Sequence, residues 1–272
     1  MNPRYPIYVP SKGRSKYGHT MKAFNRMNVP YKIVVEPQDY DDYASAFGKE
    51  KLIVTPHRDK GLTHTRNFIW DHAQESGTPY FWTFDDNISH FYRLNHNIKW
   101  YLKSGTGFYV IEEFMQRYEN IAICGMQYEM FCPRKAEHPP FILNTRVYSN
   151  MLIRTDIPYR NECFYNDDTD LCLRVLKDGW VTVLFYAFLA QKITTMIIPG
   201  GMTTYYKSDG RLKFAEELQQ KHPDCVTITW IYNRWHHQVN YTKFKKNKLK
   251  FKAGVKPANR INNFGMILKT LD

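Results

Sequence analysis

Tyr80-Phe81-Trp82-Thr83-Phe84-Asp85-Asp86-Asn87 is an apolar and aromatic run that ends in two acids and an amide. A short apolar run without alternation suits a strand buried on both faces, as in a parallel sheet flanked by helices. The carboxylates then lie at the C-terminal end of that strand. Ligands of open α/β sheets bind just outside this end, and two adjacent acids there can hold a hard divalent cation and, through it, a phosphate. The same residue types cap helices and form turns, so the motif alone leaves both readings open.

The residues upstream fit a sheet around that strand. Ile7–Pro10 reads as a first strand, and Ser11-Lys12-Gly13-Arg14-Ser15 after it is a loop of small residues and two cations. The backbone amides of such a loop can approach a phosphate or a nucleobase. Residues 16–27 read as a helix, 31–35 as a second strand closed by Glu36-Pro37, and 51–56 as a third. Glu36 either accepts from a ribose hydroxyl or uracil imide, or complements the start of the next helix. Gly61 and Thr63 precede a helix with Arg66 and Asn67 in an early turn, near the same sheet edge as the acid pair. A surface ion pair is the other reading of Arg66. Strands alternating with helices in this way argue for an α/β fold with a single, mostly parallel, Rossmann-type sheet.

Beyond Asn87 the pattern is less regular. A helix is expected at 111–118, a strand at 121–125, a Pro-, Lys- and Arg-rich sugar- or acceptor-facing loop at 130–140, and a strand pair or hairpin at 141–155 around Asn144-Thr145-Arg146. Glu162, Asp167, Asp168 and Asp170 then fall within nine residues, at the start of a helical pattern of Leu171, Val175 and Leu176 that Gly179 stops. Capping and dipole complementation explain part of this cluster. Four acids exceed what a cap needs, and a carboxylate held at a helix start suits a general base for a hydroxyl. A strand at 180–188, a Gly200-Gly201 loop within 199–206 that is either a lid or a plain turn, and a helix at 211–222 follow.

Five cysteines without a Cys-x-x-Cys pair suggest neither a disulfide framework nor a zinc site. No apolar stretch approaches the roughly 18 residues of a membrane span, and no signal-peptide core is visible, so a soluble cytoplasmic protein is expected. The net charge of +12 is unevenly placed: residues 226–271 hold ten Lys or Arg and no Asp or Glu, so with Asp272 this segment carries +9. Such a block reads as a polyanion-facing surface, nucleic acid first, or as a solvated tail. Lys243, Lys245, Lys246, Lys248 and Lys250, interleaved with Trp235, Tyr241, Phe244 and Phe251, are the candidate nucleic-acid contacts.

Taken in order, these pieces resemble a nucleotide-sugar glycosyltransferase of the GT-A fold. More narrowly they resemble the TET-associated glycosyltransferases, encoded mainly by phages and some eukaryotes, which glycosylate hydroxymethylated pyrimidines in DNA. The matching stretches are YVPSKGR at 8–14, VVEP at 34–37, GLTHTRN at 61–67, FDDN at 84–87, ECFYNDDTDLCLR at 162–174, GGM at 200–202 and the HH…Y…FKKN…LK segment at 236–250.

The resemblance implies a GT-A-like domain over 1–225, with a nucleotide-sugar half at 1–90 and an acceptor half at 91–225, followed by a basic segment at 226–272. It implies that Asp85 and Asp86, with Asn87, bind Mn²⁺ or Mg²⁺ bridging the phosphates of a UDP-sugar. Asp86 is the preferred ligand, because Asn87 stands where many relatives carry an acid. Pro10, Ser11, Arg14, Glu36, Arg66 and Asn67 would line the nucleotide beside Asp85 and Asp86. Asp168, or Asp167 beside it, would take the proton from the acceptor hydroxymethyl in an inverting displacement. His237 or His236 is either a late metal ligand or a DNA-facing side chain. The rival readings are a transferase for a glycan, lipid or protein acceptor, a non-catalytic nucleic-acid-binding protein, and a metal-dependent nuclease. Which sugar, which pyrimidine and which oligomeric state stay open.

Overall fold

The apolar run at 80–84 is a central strand of one ten-stranded sheet in the computed structural model, which describes residues 1–134, 136–193, 200–201 and 210–255. The strands are β1 (Ile7–Pro10), β2 (Lys32–Val35), β3 (Leu52–Val54), β4 (Tyr80–Phe84), β5 (Ile88–Asn95), β6 (Ile98–Tyr101), β7 (Ile121–Tyr128), β8 (Phe141–Leu143), β9 (Asn150–Arg154) and β10 (Val181–Lys192). Their order is β3-β2-β1-β4-β9-β7-β10-β5-β6, with β8 paired to β10 off this path. Pairing is parallel from β3 to β4 and between β7 and β10. It is antiparallel where β9 inserts between β4 and β7, and again from β10 through β5 to β6.

All five side chains of β4 are buried, as an unalternating apolar strand requires. Phe81 packs with Tyr8, Trp70, Ile123, Leu171 and Val175 on one face of the sheet. Trp82 and Phe84 pack with Phe24, Phe91 and Phe108 on the other. The first face is covered by α3 (Leu62–Glu75) and α5 (Asp167–Lys177), the second by α1 (His19–Met27), α2 (Tyr40–Phe47) and α4 (Thr106–Gln116). Fully burying each such ring contributes about 2 kcal/mol relative to leaving it in water.

The structure departs from the sequence reading at three places. The first helix starts at His19, not Lys16, because Gly18 adopts φ 47° and turns the chain back on Arg14. A Cβ at Gly18 would stand 2.3 Å from the Phe47 ring, so only glycine fits there. Residues 141–155 hold two strands, as expected, but these do not pair with each other as a hairpin. The Asn144 side chain donates to the Phe244 and Asn247 carbonyls at 2.9 Å, and β8 and β9 join different neighbours. β5 and β6, which the sequence did not announce, form a hairpin closed by His96 and Asn97 at positive φ.

The C-terminal portion has two parts. β11 (Val226–Ile231) and β12 (Arg234–Val239) make a separate antiparallel hairpin whose base packs against α5 and α6 (Gly210–Lys221) through Leu173, Leu176, Leu218 and Val226. Residues 243–252 then form a strap. The Asn247 amide donates to the Leu176 and Trp180 carbonyls, and the strap backbone pairs with Arg117 and Glu119. These partners stand where β7 and β10 begin.

Candidate active site

The C-terminal ends of β1, β4 and β10 and the first turns of α3 and α5 surround a cleft of about 790 Å³. The acid pair sits at its floor. Asp86 is 6% exposed and accepts from Ser11 Oγ at 2.6 Å and from Arg14 Nη1 at 2.7 Å. Tyr43 locks this corner, its hydroxyl 2.6 Å from Ser11 Oγ and 2.9 Å from the Arg14 backbone nitrogen. Arg14 also donates to the Gly200 carbonyl at 2.8 Å, and the Gly201 amide donates to the Lys12 carbonyl at 3.1 Å. The first-strand loop and the Gly-Gly loop are thus one unit.

Asp85 faces the other way. Its carboxylate accepts from Arg66 Nη2 at 2.9 Å, from Lys192 Nζ at 2.9 Å and from Ser149 Oγ at 2.6 Å. Arg66 is buried in the first turns of α3, and its Nη1 reaches Asp167 Oδ2 at 2.6 Å. Burial by itself would push the Asp85 carboxyl up, but Lys192 and Arg66 overcome it and hold the group well below the usual carboxylate range. For Asp86 burial wins over Arg14 and Ser11, and the group is shifted upward.

Asp168 differs from its neighbours. Asp167 is paired with Arg66, Asp170 with Arg174 and His222, and Glu162 with Arg174 and Lys221. Asp168 has no ion-pair partner among the described residues, and its Oδ1 accepts only from Thr169, whose backbone nitrogen lies 2.7 Å away. Desolvation, reinforced by the negative charge of Asp167 and opposed by Arg66, pushes its carboxyl up to about 6. A carboxylate with that affinity for protons, at the wall of a cleft, is suited to accept one from a hydroxyl.

Of the residues singled out from sequence, Pro10, Ser11, Arg14, Glu36, Arg66, Asp85, Asp86, Asn87, Asp167, Asp168 and His237 line this one cleft. Asn67 does not. Its side chain bonds the Asn161 backbone on both sides, at 2.9 and 2.8 Å, and anchors the loop that leads to the acid cluster. Glu36 lies at the cleft, but its Oε2 already receives Lys12 Nζ at 2.7 Å and the Asp59 amide at 2.9 Å. Lys243, Lys245, Lys246, Lys248 and Lys250 lie on the strap, at the end of the sheet opposite the cleft. β7 alone has eight residues and separates the two ends by roughly 25 Å. Within the 199–206 loop only Gly200 and Gly201 fall inside the described residues.

Sequence reasoning missed Lys192, Ser149 and the Tyr128–Tyr148 pair, whose rings stack with centroids 5.9 Å apart at 25°. Lys192 had a usable signal. It ends the long apolar run of β10, as the acids end β4, but a strand closed at Phe188 hides it.

The residues expected to hold a metal, Asp86, Asp85, Asn87 and His237, have most of their donor atoms engaged. Each Asp85 and Asp86 oxygen already faces a guanidinium, ammonium or hydroxyl donor, and Arg14, Arg66 and Lys192 put positive charge where a divalent ion would put its own. Asn87 contributes one neutral oxygen, buried and without a hydrogen-bond partner among the described residues. Burial and then Arg146 lower the His237 pKa to about 4, and a cationic neighbour disfavours a second cation. Among the described residues no three His, Cys, Asp or Glu side chains are grouped to hold an ion. As paired here, the described residues leave no Asp85 or Asp86 oxygen free for Mn²⁺ or Mg²⁺.

Residues 5–201 match the model of a protein family described as TET-associated glycosyltransferase. No curated protein sequence matches the chain. Among solved structures, a protein assigned as a nucleotide-diphospho-sugar transferase from Desulfovibrio desulfuricans shares 10% identity over 80% of this chain and 98% of that one, at a TM-score of 0.42. A UDP-glucose pyrophosphorylase complexed with UDP-glucose shares 11% identity over 69% and 92%, at a TM-score of 0.40. Similarities this distant carry nothing about chemistry.

Proposed function

This chain belongs to the TET-associated glycosyltransferase family, and from that premise we propose that it transfers a sugar from a nucleoside-diphosphate sugar, UDP first, to the hydroxymethyl group of a modified pyrimidine in DNA. The observation that carries the reading is one cleft that sets Arg14, Arg66 and Lys192, each paired with an acid of the site, near Asp168, which has no ion-pair partner among the described residues. A departing nucleoside diphosphate needs the cations, and an attacking hydroxyl needs the carboxylate.

In the proposed step the acceptor oxygen bonds to the anomeric carbon while the bond from that carbon to the diphosphate oxygen breaks. The hydroxyl proton passes to Asp168, and the charge that develops on the diphosphate is met by Lys192, Arg66 and Arg14. A single displacement through an oxocarbenium-like transition state inverts the anomeric centre. Tyr128 and Tyr148, stacked on each other in the same cleft lining, give an aromatic wall beside the space a pyrimidine that has left its stack would take. No step is routed through a divalent ion.

The test is to incubate the protein with hydroxymethylated DNA and a panel of nucleotide sugars, digest the product and weigh the nucleosides. A mass gain of one sugar on hydroxymethylcytosine or hydroxymethyluracil is expected. No gain on either base, with donor hydrolysis intact, removes DNA as the acceptor and leaves a transferase for another hydroxyl.

A further inference from the structure

The β11–β12 hairpin carries residues that this mechanism does not use. Its cross-strand pairs include Val226 with Val239, Ile228 with His237 and Trp230 with Trp235. Opposed residues of an antiparallel pair share a face, and alternate residues return to it. Val226, Ile228, Trp230, Trp235, His237 and Val239 therefore form one side. Along that side exposure rises from 1% at Val226 to 57% at Trp230 and 38% at Trp235. Tyr232, at the turn with φ 53°, is also exposed, and its ring meets His236 on the other side of the hairpin.

The location of this side gives it meaning. His237 and Arg234 line the cleft that contains Asp168, so the two indoles stand just beyond its rim. They pack edge to face, with centroids 5.0 Å apart at 73°. Several large exposed rings in one place mark a binding surface rather than ordinary surface scatter. The partner's charge follows from the composition: Arg234, next to Trp235 in the chain, lines the cleft, and no Asp or Glu occurs from 226 to 271. Flat apolar faces carried on an anionic chain describe nucleobases on a phosphodiester backbone.

We propose that Trp230 and Trp235 form a stacking platform for the nucleotides next to the acceptor base, holding the acceptor strand open while that base occupies the cleft. This rests on nucleic acid being the acceptor. The cleft takes the base to be modified, and the hairpin takes its neighbours, which would otherwise restack.

The experiment uses the full chain and a W230A/W235A variant, with W230F/W235F as the control that keeps ring faces. A single-stranded oligonucleotide should quench wild-type tryptophan fluorescence. The alanine variant should bind that oligonucleotide ~10- to 100-fold more weakly, the loss of one to two base stacks, and show a raised KM for DNA. Its affinity for UDP and its melting temperature should match wild type, and the phenylalanine variant should retain most of the binding. Alanine-variant affinity equal to wild type overturns the platform, as does quenching by anionic vesicles or by self-association in place of the oligonucleotide. Ring-dependent oligonucleotide binding without sugar transfer to hydroxymethylated DNA would remove the proposed acceptor chemistry and keep the platform. Transfer that the alanine variant performs as wild type does would remove the platform alone.

Discussion

Arg66 holds Asp85 and Asp167 at once, with Nη2 2.9 Å from the first and Nη1 2.6 Å from the second. One guanidinium thereby ties the end of β4 to the start of α5, joining the proposed donor side of the cleft to the acceptor side. Because Asp167 is taken, Asp168 is the member of the adjacent acid pair left for the proposed proton transfer.

Arg66→Ala should be among the most destabilising single changes near the site. It leaves two carboxylates without their shared cation, and breaking a buried pair in this way costs about 3–5 kcal/mol. Urea unfolding would measure it. Arg66→Lys should recover only part, because an ammonium lacks the planar fork that spans both acids. A loss below about 1 kcal/mol for the alanine variant would show that the bridge carries little stability.

Asp168→Asn should lower kcat by about 10²- to 10⁴-fold while UDP binding stays within a few-fold. Asp167→Asn should instead affect stability through Arg66. The working form of Asp168 is the carboxylate, and its pKa is raised to about 6. The transfer rate should therefore fall about tenfold per pH unit below that value and be flat above it. The sign for stability is opposite to that of a salt-bridged acid. A carboxyl whose pKa rises on folding destabilises the native state once ionised, so Asp168→Asn should raise the melting temperature at pH 7 and have no effect below the unfolded carboxyl pKa of about 4.

Lys192→Met should reduce kcat by about 10²-fold, in line with the loss of one charge-stabilising donor. Chelation should not: transfer in EDTA should stay within about twofold of the untreated rate, since three side-chain cations already stand at the acid pair. Activity abolished by EDTA and restored by Mn²⁺ would show that Asp85 or Asp86 leaves its cation to take an ion.

Gly200→Ala should weaken donor binding and destabilise the protein by about 1–3 kcal/mol. Gly200 has φ +83°, and a Cβ there would stand 2.8 Å from the Gly13 carbonyl oxygen. The variant would separate the two loops that position Arg14. UDP titration and thermal melting read the two effects, and wild-type values for both would remove this role from the Gly-Gly loop.

Replacing Lys243, Lys245, Lys246, Lys248 and Lys250 together with Gln should leave kcat and KM for a short oligonucleotide within about twofold, because a strand's length separates the strap from the cleft. A loss beyond tenfold on an oligonucleotide of a few nucleotides would place the acceptor path over the strap.

Several local patterns were decided by the sequence alone. The unalternating run before Asp85 fixes a buried strand with acids at its C-terminal end, and the apolar spacing after Asp168 fixes a helix with acids in its first turn. Both depend on neighbours within a few residues, through backbone sterics and hydrophobic periodicity. The motif order was legible for the same reason, and it pointed to the family that residues 5–201 match.

What those acids touch was decided only by tertiary structure. Lys192 lies 107 residues from Asp85, Ser149 64 residues, and Arg66 reaches an acid 101 residues away in Asp167. The insertion of β9 between β4 and β7 and the length of β10 bring them together. The same topology carries the lysine strap to the far end of the sheet and the hairpin's indoles to the rim of the cleft. A side chain's type is local and sets what it can do. Its charge state and partners depend on which distant groups share its low-dielectric surroundings, and strand order sets that.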